Sequence, residues 1–505
     1  MKQQLKRQFT VNSTLAAILF ALSGCAVTVD TAGTSAANAS AIENSHTHSN
    51  QASSPVSQIP QPAMAEHRVT VANQSIDYTV HWVPLPLQDN DGNVNAYMSG
   101  TAYIKQNADS ENRPVIFFFN GGPGASSSPM HRTLGPQAAE NPNSHIFEHA
   151  DMVFVDPVGT GFSRNFSEQT PYWSREGDAR AAVQYLQFWR KRFDREHSDF
   201  FMAGASYGSF RLAMMLPELT EMGISGGIFV SPSLDFSGNA GTTSNNRPYV
   251  HRLPTKAVAA WYHGVANQDL TDVVEVHQRA REFAESDYLL ALYQGNRLPA
   301  EKSRQIAARM AELTGLSEDY ILGHNLRIPT QDFLENLLEH ELLGRLDVRV
   351  TQPKEQPAAN EDRPPAANDP SLGMGSSNKL VSEALGDYFR NEVGVNTDND
   401  YYSINLDLNF AWEWRNEVSS PEFVVNPLNR VVDAMETNPG FRILVLGGYF
   451  DMTTPVSGQE YTFTRYGIDP ERSTFKFVPA PHAPFDSDKH REELVETLRT
   501  FISQH

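Results

Sequence analysis

Five short apolar runs, at 115–119, 152–155, 200–203, 228–230 and 443–446, show no polar alternation, and a sixth, at 475–478, is interrupted only by Lys476. A strand with one face in water alternates polar and apolar residues, whereas a strand buried on both faces does not. Segments with helical spacing separate several of these runs, 177–193 among them. Strand and helix in alternation predict an α/β fold with a central, mostly parallel sheet. From residue 67 the pattern differs: 69–71 and 76–80 read as strands, and Asp89-Asn90-Asp91-Gly92 is a turn signal ahead of a strand at 96–104. These are expected to be antiparallel strands at the start of a mixed sheet.

One run leads directly into a candidate reactive residue. Phe200-Phe201-Met202-Ala203 is followed by Gly204-Ala205-Ser206-Tyr207-Gly208, and 209–219 continues with helical character. Strand, G-x-S-x-G, helix is the nucleophile elbow of α/β-hydrolases, where a sharp turn lifts a serine hydroxyl to the sheet's carboxyl edge beside a helix N-terminus. A Cβ at either flanking glycine is expected to clash inside that turn. The pattern occurs again at Gly223-Ile224-Ser225-Gly226-Gly227, but before an apolar run rather than after one. Its glycines read as a helix end, and Ser225 as structural.

A serine nucleophile needs a base, an acid that orients the base, and donors for the oxyanion. In α/β-hydrolases the chain order is Ser, then Asp or Glu, then His, the last two on loops after late strands. Asp451 follows the run 443–446 across Gly447-Gly448-Tyr449-Phe450, and His482 follows 475–478 across Pro479-Ala480-Pro481. His131, His263 and His490 do not closely follow a late buried strand and read as surface or packing residues.

The chain of 505 residues has room for a large core. Its net charge of -20 argues against nucleic acid as a partner. Lys2, Lys6 and Arg7 precede a short apolar stretch ending in Leu22-Ser23-Gly24-Cys25, which resembles a bacterial lipobox. The expectation is a lipoprotein signal peptide at 1–24 and lipidation of Cys25, the only cysteine. The membrane is then a partner through the lipid anchor only. Buried acyl chains contribute roughly 0.8 kcal/mol per methylene. Ala26 after the cysteine favours the outer membrane of a Gram-negative bacterium, facing the periplasm. Residues 25–65 read as a flexible tether, in which His46 and His48 are expected to bind nothing in particular. Core segments are expected at 66–254 and 431–505. Between them, 255–430 reads as an inserted helical cap with a mobile, Pro-rich excursion at 352–370. No cofactor or metal is implied, since the chain has no HExxH, no clustered Cys and no phosphate loop with Lys.

Four motifs resemble those of the serine carboxypeptidase family, in its bacterial branch. They are Asn120-Gly121-Gly122-Pro123-Gly124-Ala125-Ser126-Ser127, Asp156-Pro157-Val158-Gly159-Thr160-Gly161-Phe162-Ser163, the Ser206 pentapeptide, and the segment 448–455 around Asp451. The resemblance covers nearly everything from residue 67 onward. It implies an α/β-hydrolase sandwich, with Ser206 as nucleophile, His482 as base then acid, and Asp451 as its orienter. It implies an oxyanion hole from the N–H groups of Gly122 and Tyr207, and substrate binding by Asn120, Gly121 and Phe118.

The chain also departs from the family pattern. The two glutamates that read a terminal carboxylate are replaced by Ala205 and Thr133, so either His131 or Arg132 takes over that role or the substrate differs. Without a glutamate pair, activity is expected to favour neutral over acidic pH, limited on the acid side by His482. The leading expectation is a serine carboxypeptidase acting on peptides. Esters, amides or acyl-transfer acceptors cleaved through the same triad form the alternative, and a binding module that retains the scaffold is a third reading. Oligomeric state is not legible.

Overall fold

The computed structural model describes residues 55–504 except 72–73, 90, 137–145, 168–169, 239–240, 357 and 415–425. The segments read as signal peptide, and the tether with Cys25, His46 and His48 as far as residue 54, lie outside the described residues.

Three antiparallel strands, β1 (Ala63–Val71), β2 (Gln74–Gln88) and β3 (Val94–Lys105), open the sheet. β1 starts inside the stretch read as tether. It pairs with β2 along its whole length, from Ala63 opposite Trp82 to Val71 opposite Gln74. The parallel part follows: β4 (Val115–Phe119), β5 (Asp151–Asp156), β7 (Phe200–Ala205), β8 (Gly226–Val230), β13 (Arg442–Gly448) and β14 (Ser473–Val478). The order across the sheet is β1-β2-β3-β5-β4-β7-β8-β13-β14, with the short β6 (Arg164–Asn165) on β3. Each of the six apolar runs is one of the six parallel strands.

Alternate residues of these strands enter two separate cores, as the period-two geometry of a strand requires. Phe117, Met202, Phe229 and Val445 pack with Trp189, Leu216 and Val431. These three belong to helices α2 (Arg175–Arg192), α3 (Tyr207–Glu221) and α12 (Leu428–Thr437). Ile116, Phe201, Ile228 and Leu444 face the opposite core, with Leu498 and Phe501 of α14 (Asp488–Ile502). Both faces of the inner strands are dry, which is why their runs carry no polar alternation, while the edge strand β14 is only partly buried and carries Lys476. The short α1 (Ser128–Leu134) follows the glycine-rich loop after β4.

The helical insertion begins earlier than the sequence suggests. α4 (Arg247–Tyr262) carries Pro254 inside it instead of starting there. α5 (Val273–Phe283), α6 (Leu289–Gln294), α7 (Ala300–Thr314), α8 (Glu318–Gly323) and α9 (Thr330–Asn336) complete the helices. Val250, Leu253, Val276, Ile306 and Phe333 form their core, which runs on to Tyr449, Phe450 and Met452 on either side of Asp451. The cap is therefore packed directly onto the loop that carries the candidate acid.

After α9 the insertion changes character. Two small antiparallel ribbons follow, β9 (Glu341–Leu343) with β10 (Thr351–Pro353) and β11 (Lys379–Val381) with β12 (Tyr402–Asn405), with α10 (Glu383–Tyr388) in the connection between β11 and β12. The stretch 352–370 contains the end of β10 and the turns Pro365–Asn368 and Pro370–Leu372. α11 (Leu406–Phe410) leads back towards the sheet, and α13 (Val456–Phe463) follows β13. Among the described residues, no helix is long and apolar enough to cross a membrane.

Candidate active site

Ser206 sits between the end of β7 and the first turn of α3, with φ 55° and ψ -122°. A non-glycine residue at positive φ is strained, and it persists only where its surroundings over-determine it. Here they do. The Ser206 N–H donates to Val230 O at 2.9 Å, and Ser206 O accepts from the Ser233 N–H at 3.3 Å. The elbow is thereby stitched to the end of β8. The glycines are required by close approach. A Cβ on Gly204 would lie 2.2 Å from Gly208 O, and one on Gly121 would lie 2.6 Å from the Tyr207 nitrogen.

The strands β13 and β14 are neighbours and parallel, so their carboxyl ends deliver Asp451 and His482 to one place. His482 Nδ1 and Asp451 Oδ2 are 2.7 Å apart. The Asp451 side chain is fully buried, while that of His482 is 17% exposed, so the ring's other nitrogen can face a substrate. Asp451 Oδ1 also accepts the backbone N–H groups of Thr453 and Thr454, at 2.8 and 3.0 Å. The Thr454 hydroxyl lies 2.5 Å from Asp451 Oδ2, 3.1 Å from Ser231 O and 3.3 Å from His482 Nδ1. The carboxylate is thus fixed by several donors, which orients the imidazole.

These bonds link the three groups through the backbone. Ser206 holds Val230, the next residue Ser231 meets Thr454, and Thr454 touches both Asp451 and His482. Among the described residues, no hydrogen bond joins Ser206 Oγ to His482 Nε2. In ligand-free sites such bonds are often long and close only around substrate.

The glycine-rich loop lies beside the elbow. Gly122 is exposed with φ 101°, and the Tyr207 N–H belongs to the free first turn of α3. Arg211 of α3 holds the loop's start. It is 1% exposed, and it donates to Asn120 O at 2.8 Å and to Asp178 of α2 at 2.7 Å. Asp156, at the end of β5, holds the loop's far side by accepting from the Ser127 N–H at 2.8 Å and the Ser127 hydroxyl at 2.7 Å. Burial pushes the Asp156 carboxyl up to about 6.

Several residues occupy places other than those expected. Phe118, read as substrate-binding, is a core residue instead. It is 1% exposed and stacks on Phe154 with ring centroids 4.8 Å apart, because the period of β4 turns it to the same face as Ile116. Asn120 is nearly buried, and its side-chain oxygen accepts from the Met130 N–H at 3.4 Å. Gly121 is buried under the elbow. His131 is buried, 2.6 Å from the Tyr103 hydroxyl, and burial pushes it down to about 3. Packed in the core against Phe154 and Phe389, the ring is closed off from a substrate carboxylate, while Arg132 is exposed. His263 and His490, expected to be surface or packing residues, make structural contacts, with Val348 O at 2.8 Å and with Asp486 at 2.7 Å. The Ser225 hydroxyl meets Asp199, at the opposite end of β8 from Ser206. Among the described residues, no cluster of His, Cys, Asp and Glu has the makings of a metal site.

Sequence reasoning missed Thr454 and the strap at 344–348. Thr454 had a signal, a hydroxyl three residues after the candidate acid. The strap had none, since its contacts are made by backbone. Arg345 O accepts from the Met452 N–H at 3.0 Å, Leu346 O from the His482 N–H at 2.8 Å, and the Val348 N–H donates to Phe450 O at 3.1 Å. A segment of the insertion therefore clamps both loops of the dyad.

Residues 101–477 match the model of the serine carboxypeptidase family. A pheromone-processing carboxypeptidase, KEX1 of Podospora anserina, is 34% identical over 124 residues, which is 22% of this chain and 21% of that protein. Serine carboxypeptidase-like 33 of Arabidopsis thaliana is 32% identical over 174 residues, 32% of this chain and 35% of that protein. The chain thus aligns with about a fifth to a third of the length of these relatives. A solved prohormone-processing carboxypeptidase from Saccharomyces cerevisiae is 14% identical with a TM-score of 0.48, covering 84% of this chain and 91% of that one.

Proposed function

Because the chain belongs to the serine carboxypeptidase family, we propose that it is a serine hydrolase that releases C-terminal residues from peptides. The reading rests on the Asp451–His482 hydrogen bond, formed on the sheet edge that also carries the strained Ser206 elbow.

In this mechanism Ser206 Oγ attacks the scissile carbonyl carbon while His482 Nε2 takes its proton. Asp451 holds the Nδ1–H tautomer and stabilises the imidazolium without taking the proton. The carbonyl oxygen becomes an oxyanion facing the N–H groups of Gly122 and Tyr207, each such donor contributing a factor of roughly 10²–10³ in rate. The tetrahedral intermediate collapses, the C–N bond breaks, and His482 returns its proton to the leaving amine. Water then attacks the acyl-enzyme by the same steps in reverse roles, freeing Ser206.

The test compares a blocked dipeptide bearing a free C-terminus with the same peptide as its C-terminal amide. The expected result is a preference of about 30-fold or more in kcat/KM for the free acid, the range of a hydrogen bond to a charged group. Equal rates would favour the esterase, amidase or acyltransferase alternative.

A further inference from the structure

Two cations lie against the Asp451 loop without a role in the mechanism above. Arg252, on α4, is 5% exposed, and its Nε–H donates to Met452 O at 3.2 Å. Arg345 lies on the strap: its own carbonyl meets Met452, and the next residue, Leu346, meets His482. It is only partly exposed, and its Nε is buried without a hydrogen-bond partner among the described residues. The two guanidinium groups are close enough to act on one another. Burial first, and Arg345 second, push Arg252 down to about 10, while Asp451 opposes the shift.

Packing two like charges together under a cap is unfavourable unless an anion is to meet them. Asp451 acts on Arg252 and Asp369 on Arg345, but the oxygens of both carboxylates are bonded to other donors. Asp451 accepts from His482, Thr453 and Thr454. Asp369 accepts from the backbone N–H groups of Arg345 and Ser371, at 2.6 and 2.8 Å, and from the Ser371 hydroxyl. Other cations near the nucleophile are ill placed: Arg211 is held by Asp178 and Asn120, and Arg132 is exposed. Ala205 offers no polar side-chain atom, and the Thr133 hydroxyl is bonded to Pro129 O and Met130 O.

We infer that Arg345, backed by Arg252, receives a carboxylate of the substrate beside the Asp451–His482 dyad. The inference deepens the carboxypeptidase reading and rests on its acyl chemistry. A guanidinium fork suits a carboxylate, which it can meet with two parallel N–H donors. Two sources have that chemistry, the α-carboxylate of the terminal residue and an acidic side chain next to the scissile bond.

The experiment measures kcat/KM for two matched pairs, each made with a peptide bond and with an ester at the scissile position. One pair is free C-terminus against amide, and the other is glutamate against glutamine in an amidated peptide. The wild-type protein is expected to prefer the acid in one pair by about 30-fold, the range of a hydrogen bond to a charged group. Arg345→Met is expected to bring that ratio close to one, and Arg345→Lys to an intermediate value. Loss in the first pair identifies the α-carboxylate, and loss in the second the side chain. An unchanged ratio in Arg345→Met, or no preference for either acid in the wild type, overturns the inference. Should Arg345→Met fail to fold, Arg345→Lys decides alone, because a single ammonium lacks the fork and the ratio must fall several-fold. Cleavage of the esters without the peptides would remove the peptidase reading while leaving the arginine inference to be judged on the ester ratios.

Discussion

Replacing Ser206 with alanine is expected to lower kcat by about 10⁶ while leaving the fold intact. The size follows from removing the nucleophile of a unit whose members act together, so the histidine and aspartate cannot compensate. The intact fold follows from local geometry. Ser206 makes no side-chain capping bond to α3, and alanine keeps the Cβ that the strained backbone already accommodates. The elbow is held by the backbone bonds to Val230 and Ser233, which alanine retains. Steady-state kinetics and a thermal melt on the same preparation check both halves. A variant that keeps most of its activity would move the nucleophile elsewhere.

Asp451→Asn is expected to lower kcat by about 10⁴, again with little change in overall structure. The amide fits the same space and still offers one oxygen to the N–H groups of Thr453 and Thr454. Its NH₂ then faces His482 Nδ1 and the Thr454 hydroxyl, both of which meet Oδ2 in the native site. A donor there favours the tautomer with the proton on Nε2, so the ring can no longer accept a proton from Ser206. Loss of less than about tenfold in kcat would mean that the carboxylate does not set the tautomer.

The parallel sheet was legible because all its strands but the edge strand β14 are buried on both faces. The run 115–119 is β4 residue for residue, and the others differ from their strands by one or two residues at an end. β1 was harder: residues 63–70 alternate between partly and fully exposed, so the strand begins where no apolar run announces it. Asp451 and His482 were legible from their places after late strands, and their 2.7 Å contact follows from the parallel pairing of β13 and β14. Phe118 was misjudged because its role was carried over from a resemblance, whereas strand periodicity sends it into the core. The strap was invisible for a different reason. Arg345 and Leu346 reach the dyad through carbonyl oxygens, which every residue type possesses, and nothing in the side-chain pattern marks such contacts. Arg252 and Arg345 are 93 positions apart in the chain and come together only because the cap folds back on the Asp451 loop.

One serine, at the β7–α3 elbow, is proposed to be activated by a histidine from the other end of the chain. A fluorophosphonate probe, with the adduct mapped by peptide mass spectrometry in the wild type and in His482→Ala, tests it most directly. The account predicts a single adduct on Ser206 in the wild type, and labelling slowed by orders of magnitude in the variant. An adduct on Ser225 or Ser231, or wild-type labelling at Ser206 that is indifferent to loss of His482, would contradict it.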